Sequence, residues 1–335
     1  MADAVRELLA HAMAEVKEAQ PAKSAAPSNI ALSKYWGKRD AARNLPLNSS
    51  ISISLGALGS HTQVRPSDTG EDLVSLDGQA LPSESAFAVK VLRFADLFRG
   101  DRRLPLQIDT VNTIPTAAGL ASSASGFAAL TRALCGAFGL SLDETDMSRI
   151  ARLGSGSAAR SIWHGFVRWN KGDAADGSDS HGVLLDQRWD DFRIAIVPVD
   201  KSEKPQSSRD GMNHTVATSP LFAPWPTQAE ADCAAVEKAV RAKDFDELGP
   251  RVEQNALAMH ATMLAARPPL SYLSPKSWEV LGSLWDARGE GLQAYATMDA
   301  GPNVKLIFLS HTSDDVVTCF PQASVIAPFE NVPPS

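Results

Sequence analysis

A run of small residues, IPTAAGLASSASG at positions 114–126, follows the strand-like segment LPLQIDTV. Backbone without bulky side chains can approach a ligand closely, and hydroxyl groups supply further hydrogen bonds. A helix that begins near Ser123 would leave its first amide groups unpaired at its positive end. The stretch therefore suits an anion such as phosphate, although a tight helix–sheet turn explains the same composition. It is neither a P-loop, since no lysine follows, nor a G-x-G-x-x-G motif.

A first polar cluster, SNIALSKYWGKRD, contains Asn29, Lys34, Tyr35 and Lys38. On a helical turn, the spacing of four between the two lysines would place both on one face. Two cations and a phenol suit a phosphorylated ligand. An exposed basic turn is the alternative.

A second cluster, LGSGSAARSIW, combines an open backbone with hydrogen-bond donors. Gly154 and Gly156 leave the chain accessible between Ser155 and Ser157. The planar fork of Arg160 suits a carboxylate or phosphate held by two hydrogen bonds. A turn with a surface arginine is the alternative.

The two remaining clusters lie in the second half of the chain. KPQSSRDGMN carries Lys204, Ser207, Ser208 and Arg209, and a solvated loop would have the same composition. MDAGPN places Asp299 after an apolar run, where an acid acts as a base or metal ligand, or caps a turn. Together the clusters predict a site with many anion donors and one carboxylate, as phosphate transfer requires.

Composition limits the classes of function. The 335 residues carry a net charge of −7 without a basic run, which argues against a nucleic-acid partner. The three cysteines are far apart and form no C-x-x-C pair, which is typical of a reducing compartment. No apolar run is long enough to span a membrane, and the acidic N-terminus is unlike a secretory signal.

Strand and helix signals alternate along the chain without a strict βαβ order, which predicts the α+β class. Alternation predicts a strand at ISISLGAL, and DLVSLDGQAL predicts a hairpin around Asp77 and Gly78. LDETDMSRIARLG predicts a capped helix that ends at Gly154. The first 20 residues predict an amphipathic helix, followed by a flexible linker, PAKSAAPS.

Five segments in order resemble the mevalonate diphosphate decarboxylase family of the GHMP kinase superfamily. They are NIALSKYWGKRD…LPLNSSISISL, PTAAGLASSASGFAAL, GSGSAARSIWHGFVRW, SSRDGM and MDAGPN. The resemblance implies the two-lobed GHMP kinase fold, with an S5 domain 2-like N-terminal lobe and a ferredoxin-like C-terminal lobe. We expect a leader helix and linker at 1–27, the ATP-binding lobe at 28–195 and the second lobe at 196–335.

The resemblance also implies the reaction. ATP, with Mg²⁺, phosphorylates the 3-hydroxyl of (R)-5-diphosphomevalonate, and phosphate and CO₂ then leave to give isopentenyl diphosphate and ADP. It further implies a homodimer, and we expect a cytoplasmic enzyme with no nucleic-acid or membrane partner.

Roles carry over from the family onto matching positions. Asp299 matches the catalytic aspartate of the family. Arg160 matches the arginine that binds the substrate carboxylate, and Asn29 matches a position close to that arginine. Ser208 matches a serine near the reacting phosphoryl group, and Lys204 the lysine that approaches ATP. The residues that match positions around the substrate's acid and diphosphate groups are Tyr35, Lys38, Ser155, Ser157 and Arg209. Those expected to hold the ATP phosphates are Gly119, Leu120, Ala121, Ser122, Ser123 and Ser125, with Ser122 also expected at the metal.

One position departs from the family pattern. Asp210 stands where relatives usually have a small neutral residue, and a carboxylate near a diphosphate would repel it unless it points away or is paired. A decarboxylase of 5-phosphomevalonate is therefore an alternative. A mevalonate 3-kinase and a non-catalytic GHMP-fold binding protein are two others, both less compatible with the presence of Asp299 and Arg160.

Overall fold

The computed structural model describes residues 4–114, 122–199, 206–330 and 332, and it has the predicted α+β composition. The helices are α1 (Ala4–Ala12), α2 (Ala86–Arg99), α3 (Ser123–Ala137), α4 (Glu144–Gly154), α5 (Ser208–Thr218), α6 (Trp225–Ala242), α7 (Phe245–Leu264), α8 (Pro275–Gly289) and α9 (Ser313–Cys319). The strands are β1 (Ala22–Ser33), β2 (Lys38–Asp40), β3 (Leu45–Pro46), β4 (Ser50–Pro66), β5 (Leu73–Leu76), β6 (Gln79–Leu81), β7 (Leu106–Asn112), β8 (Phe166–Trp169), β9 (Gly182–Leu185), β10 (Phe192–Val197), β11 (Ala294–Thr297), β12 (Val304–Leu309) and β13 (Ser324–Ile326).

The larger sheet is built around the long strand β4. Its strand order is β6-β5-β7-β4-β8-β9, and β1 also pairs antiparallel with β4. The β1–β4 register shifts between Pro27 and Asn29, and again between Ala31 and Ser33. At Gly59 a Cβ atom would lie next to the carbonyl oxygen of Ala26, so only glycine allows the two strands this close.

Helices α1 to α4 cover this sheet through one apolar cluster. In α1, Val5 and Leu9 are buried in it, as is Met13 just beyond the helix. The predicted amphipathic helix is therefore confirmed, and it packs on the body of the protein. The predicted flexible linker after it is wrong, because residues 22–27 form the first half of β1.

The second lobe has a smaller antiparallel sheet with the order β11-β12-β10-β13. A second apolar cluster joins it to the larger sheet: Ile53 of β4 and Phe166 of β8 share this core with Phe192 of β10 and Val236 of α6. An ion pair also crosses from β8 to α6, with 2.6 Å between Arg168 Nη1 and Glu237 Oε2. The two lobes therefore share a core as well as a cleft.

Most predicted elements are confirmed, including the hairpin at Asp77–Gly78, where both residues have positive φ angles of 51° and 80°. Lys34 and Lys38 do not share a helical turn, since one follows β1 and the other begins β2. The SSRDGM segment forms the start of helix α5, so the alternative of a solvated loop does not apply to it. None of the helices in the described ranges is long and apolar enough to cross a membrane.

Candidate active site

A cleft with a cavity of about 580 Å³ lies where the two lobes meet. Segments that are far apart in sequence contribute to its wall. The predicted site residues that line it are Asn29, Tyr35, Lys38, Ser123, Ser155, Ser157, Arg160, Ser208, Arg209 and Asp299. The structure therefore brings together residues from all five segments that carry the family resemblance.

Asp299 lies in the turn after β11 and is bracketed by two ammonium groups. Its Oδ1 is 2.8 Å from Lys34 Nζ, and its Oδ2 is 3.6 Å from Lys305 Nζ. Both lysines are buried at 1% exposure, whereas the Asp299 side chain is 38% exposed. The carboxylate is thus fixed from the protein side and accessible from the cleft.

Lys34 carries an unusual charge environment. Burial lowers its pKa to about 8, against the opposing effect of the Asp299 carboxylate, while Lys305 and Arg160 lower it further. Burial also lowers the pKa of neighbouring His260 to about 4, so this imidazole is neutral at physiological pH. Among the residues that the structure describes, Asp299 is therefore the single anionic carboxylate of this cluster, and it lies among several cations.

Arg160 is buried at the end of a short 3₁₀ turn, Gly156–Arg160. Its Nη1 donates to Ser50 Oγ at 2.5 Å, and its guanidinium lies 5.8 Å from the Trp169 ring centre. Burial lowers its pKa to about 10, with Asp299 opposing the effect. Its buried Nε has no hydrogen-bond partner within the described ranges.

A row of polar side chains extends from Arg160 towards α3. Asn29 Nδ2 donates to Ser161 Oγ at 2.7 Å and to the carbonyl of Ser157 at 3.3 Å. The hydroxyl of Ser155 lies 3.3 Å from those of both Ser123 and Ser157. Hydroxyl groups spaced in this way can bind phosphate oxygens without adding charge.

Lys38 and Tyr35 form another part of the wall. Lys38 Nζ donates to Asn44 Oδ1 at 2.7 Å, and Asn44 Nδ2 donates to the carbonyl of Arg152 at 2.9 Å. Burial lowers the pKa of Lys38 to about 8, helped by Arg209 and Lys90. Tyr35 packs edge-on against Trp169 at 4.7 Å, and burial raises the pKa of its hydroxyl.

Helix α5 begins at the cleft and carries Ser208 and Arg209 in its first turn. Ser207 caps it, since its Oγ accepts from the backbone N–H of Asp210 at 3.1 Å and donates to Asp210 Oδ2 at 2.6 Å. The Asp210 carboxylate therefore forms part of the helix cap, and the residue does not line the cavity.

The predicted phosphate loop is only partly visible. Thr116, Gly119, Leu120 and Ala121 lie outside the described residues, as does Lys204. Helix α3 begins at Ser123, as predicted, and Ser122 and Ser123 line a smaller cavity beside Phe87 and Lys90. Ser125 is not brought to either cavity: it is buried, with its hydroxyl 2.8 Å from Ser60 Oγ and 3.1 Å from Ser28 Oγ.

Several residues that line or support the cleft lie outside the sequence predictions. The sequence identifies Lys34 only as a basic residue and does not single out the cations Lys90 and Lys305 or the amide of Asn44. A lysine inside an apolar strand or helix, as in VKLIFL or AVKVLRF, is the signal that could have identified two of them. In the described part of the chain no group of three His, Cys, Asp or Glu side chains could hold a metal ion.

Two sequence profiles match this chain. One, for the diphosphomevalonate decarboxylase-like N-terminal domain, matches residues 26–182, and the other, for the mevalonate 5-diphosphate decarboxylase C-terminal domain, matches residues 194–330. The diphosphomevalonate decarboxylase of Gibberella zeae is 38% identical over 323 residues, covering 90% of this chain and 84% of the relative. That of Homo sapiens is 36% identical over 329 residues, covering 91% and 81%.

Solved structures of similar proteins point to the same family as the sequence profiles. Mevalonate diphosphate decarboxylase from Staphylococcus aureus matches with a TM-score of 0.86 at 36% identity, covering 92% of this chain and 95% of that one. A structure described as MDDEF in complex with MVAPP, AMPPCP and magnesium matches with a TM-score of 0.85 at 38% identity, covering 91% and 96%. The fold is thus that of the GHMP kinases.

Proposed function

Since this chain belongs to the diphosphomevalonate decarboxylase family, we propose that it converts mevalonate 5-diphosphate and ATP into isopentenyl diphosphate, ADP, phosphate and CO₂. The observation that carries this proposal within the site is the Asp299 carboxylate, held by Lys34 and Lys305 in a cleft that Arg160 also lines.

Asp299 accepts the hydrogen bond, and then the proton, of the substrate's tertiary 3-hydroxyl. Such an alcohol is a poor nucleophile, so its orientation towards the γ-phosphorus and the removal of its proton dominate the rate. The oxygen then forms the new P–O bond while the bond to ADP breaks. The ammonium of Lys34 stabilises Asp299 before this transfer and the nearby phosphoryl charge during it.

Arg160 binds the substrate carboxylate and sets its direction, with Asn29 beside it. When the phosphorylated oxygen leaves C3, the bond between C2 and the carboxylate breaks, its electrons form the new double bond, and CO₂ departs. Positive charge that develops at C3 is stabilised by the anionic Asp299. A buried arginine supplies two parallel hydrogen bonds in a fixed plane, which a lysine does not.

The diphosphate of the substrate binds along Lys38, Arg209, Tyr35, Ser155 and Ser157. Lys38 and Arg209 neutralise charge, and the serine hydroxyls donate to phosphate oxygens. The bond between Asp210 and the capping residue Ser207 supports a diphosphate substrate, since this carboxylate is paired at the start of its own helix and does not line the cavity.

ATP binds at the N-terminus of α3, where Ser122, Ser123 and the helix amides face its phosphates. Lys90 lines both cavities, so its ammonium can neutralise negative charge of the phosphate groups of both ATP and the substrate. The hydroxyl groups at this cavity, together with the phosphates of bound ATP, would fit Mg²⁺, an oxygen-binding ion that commonly has few protein ligands and relies on substrate phosphates. When bound, it would neutralise phosphate charge, with Ser122 as its protein ligand. The homodimer and the cytoplasmic location stay predictions.

The test is a parallel assay with ATP and Mg²⁺ on mevalonate, 5-phosphomevalonate and 5-diphosphomevalonate. We expect ADP, phosphate and CO₂ in equal amounts from the diphosphate. Preference for the monophosphate, or ADP without CO₂, would contradict the proposal.

A further inference from the structure

The main chain at Lys34 is held by side-chain amides on both sides. Its N–H donates to Asn255 Oδ1 at 2.7 Å, and its carbonyl accepts from Asn48 Nδ2 at 2.8 Å. Pairing of β1 with β4 ends at Ser33, after a register shift. Side chains therefore replace the strand partners that Lys34 lacks. Of the two, Asn255 comes from helix α7 of the opposite lobe.

Asn255 is itself fixed in one orientation. Its Nδ2 donates to Asp232 Oδ2 at 2.8 Å, and Asp232 Oδ1 accepts from Gln228 Nε2 at 2.7 Å. An amide has one acceptor end and one donor end, and Asn255 uses them for the Lys34 N–H and the Asp232 carboxylate. Asn255 is fully buried and Asp232 is 7% exposed, so this network lies away from bulk water.

A buried polar network destabilises the folded protein unless every member is paired, and apolar side chains could fill the same space without that cost. We therefore look for its role in the geometry of the Lys34–Asp299 ion pair. The Lys34 ammonium reaches Asp299 Oδ1 at 2.8 Å at the end of a flexible stem of four methylene groups. A shift of the main chain of about 1 Å would move the ammonium off this contact, and misplacements of about that size cost on the order of 10²-fold in rate.

We infer that Asn255, oriented by Asp232, is a positioning residue for the decarboxylation reaction: it fixes Lys34 so that its ammonium stays on Asp299. The inference rests on the proposed function. It assigns Asn255 no contact with substrate, and it makes α6 and α7 of the second lobe responsible for the placement of a first-lobe lysine.

The first experiment compares Asn255→Ala with the wild type in steady-state turnover of 5-diphosphomevalonate. We expect kcat to fall by roughly 10²-fold with little change in KM, because the ligand contacts remain while the ion pair loosens. Thr262→Val is the matched control: it removes a buried hydroxyl from the same helix, where Thr262 bonds only the carbonyl of Met259 at 2.7 Å among the contacts described. It should keep the wild-type kcat.

The second experiment exchanges the amide of Asn255 and the carboxylate of Asp232. Asn255→Asp alone places two carboxylates together in a buried site and should lower kcat at least as much as Asn255→Ala. Asn255→Asp combined with Asp232→Asn restores one amide and one carboxylate, with acceptors for both Lys34 N–H and Gln228 Nε2. This double variant should recover most of the lost kcat, and it keeps the inference testable if the alanine variant does not fold.

Thermal unfolding of each variant separates positioning from loss of structure. A folded Asn255→Ala protein with wild-type kcat, or a folded exchange variant that recovers no kcat, would overturn the inference. A rise in KM alone would overturn it too. Failure of the proposed function is a different result, since the wild type itself would then not turn over the diphosphate.

Discussion

The carboxylate of Asp299 is the single anion described among Lys34, Lys305 and Arg160, so its removal changes the charge of the whole cluster. The same arrangement explains why one aspartate can serve both steps of the reaction. Before phosphoryl transfer it takes a proton, and during the loss of phosphate its charge opposes the positive charge at C3.

Asp299→Asn should leave ATP binding nearly intact and lower kcat on the order of 10³-fold or more, because an amide neither accepts the proton nor balances the lysines. Steady-state kinetics and calorimetric titration with an ATP analogue measure the two effects. Asp315→Asn, on the exposed side of α9, is the control that removes a carboxylate elsewhere. Near-normal turnover of Asp299→Asn would contradict the role.

The pH dependence of kcat/KM should show an alkaline limb with an apparent pKa of about 8, the value to which burial lowers the pKa of Lys34. Above it, Lys34 loses the proton that pairs it with Asp299. Since Lys38 has a similar pKa, Lys38→Arg distinguishes the two by keeping that charge fixed. A limb that persists in this variant belongs to Lys34. A profile that stays flat to pH 10.5, the ordinary value for lysine, would contradict the assignment.

The lowered pKa of Lys34 also makes the stability of the fold depend on pH. The folded pKa of Lys34, about 8, lies below its ordinary value of 10.5, so the unfolded chain binds more protons between these values. The contribution of Lys34 to the free energy of unfolding therefore rises with pH across this window. Activity and this part of the stability thus change in opposite directions as the solution becomes alkaline.

At the scale of elements, helix α5 accommodates Asp210, the residue that departs from the family pattern, through contacts within its own first turn. Asp210 lies in the first turn of the helix, where a negative charge interacts favourably with the helix dipole. Its bond to Ser207 ties it to the residue that caps the helix. The residues that reach the cleft from this turn are its neighbours Ser208 and Arg209.

Asp210→Ser should therefore leave kcat and KM for the diphosphate unchanged and lower the free energy of unfolding by about 0.3–1 kcal/mol. Kinetics with the diphosphate and chemical denaturation measure the two. Arg209→Gln, one position earlier, is the comparison that should raise KM, since it removes a cation from the cavity wall. Better use of the diphosphate by Asp210→Ser would mean that its carboxylate does repel the substrate.

Sequence patterns predict the elements wherever the apolar periodicity is clear, as in β4 and α4, but they do not predict β1. Ala22 and Ala26 are too small to give a strand signal. Their small size is explained by close packing against α3 and β4; a Cβ on Gly136 of α3, for example, would lie 3.2 Å from Ala22 Cβ. Asn29, Arg160 and Asp299 were predicted together from their motifs. The contacts of Lys34 were not, since its partner Asp299 lies 265 positions away and no local pattern reports such a pair.

At the scale of the whole molecule, the cleft lies between two lobes that are not independent. The cluster that contains Ile53 and Phe166 of the larger sheet also contains Phe192 and Val236 of the second lobe. The Lys34–Asp299 and Lys34–Asn255 contacts cross the same boundary. Catalytic geometry and the shared core therefore depend on one arrangement of the lobes.

Both lobes should then unfold in a single transition. Far-UV circular dichroism and tryptophan fluorescence should report the same midpoint, because the seven tryptophans include Trp169 in β8 and Trp225 in α6. Ile53→Ala, which truncates a fully buried side chain of the shared core, should lower the free energy of unfolding by about 2–5 kcal/mol and shift both signals together. Val111→Ala, at a 49% exposed position of β7, should shift neither appreciably. Two separate midpoints, or an Ile53→Ala variant in which one signal moves alone, would show that the lobes fold independently and that the shared core does not fix the cleft.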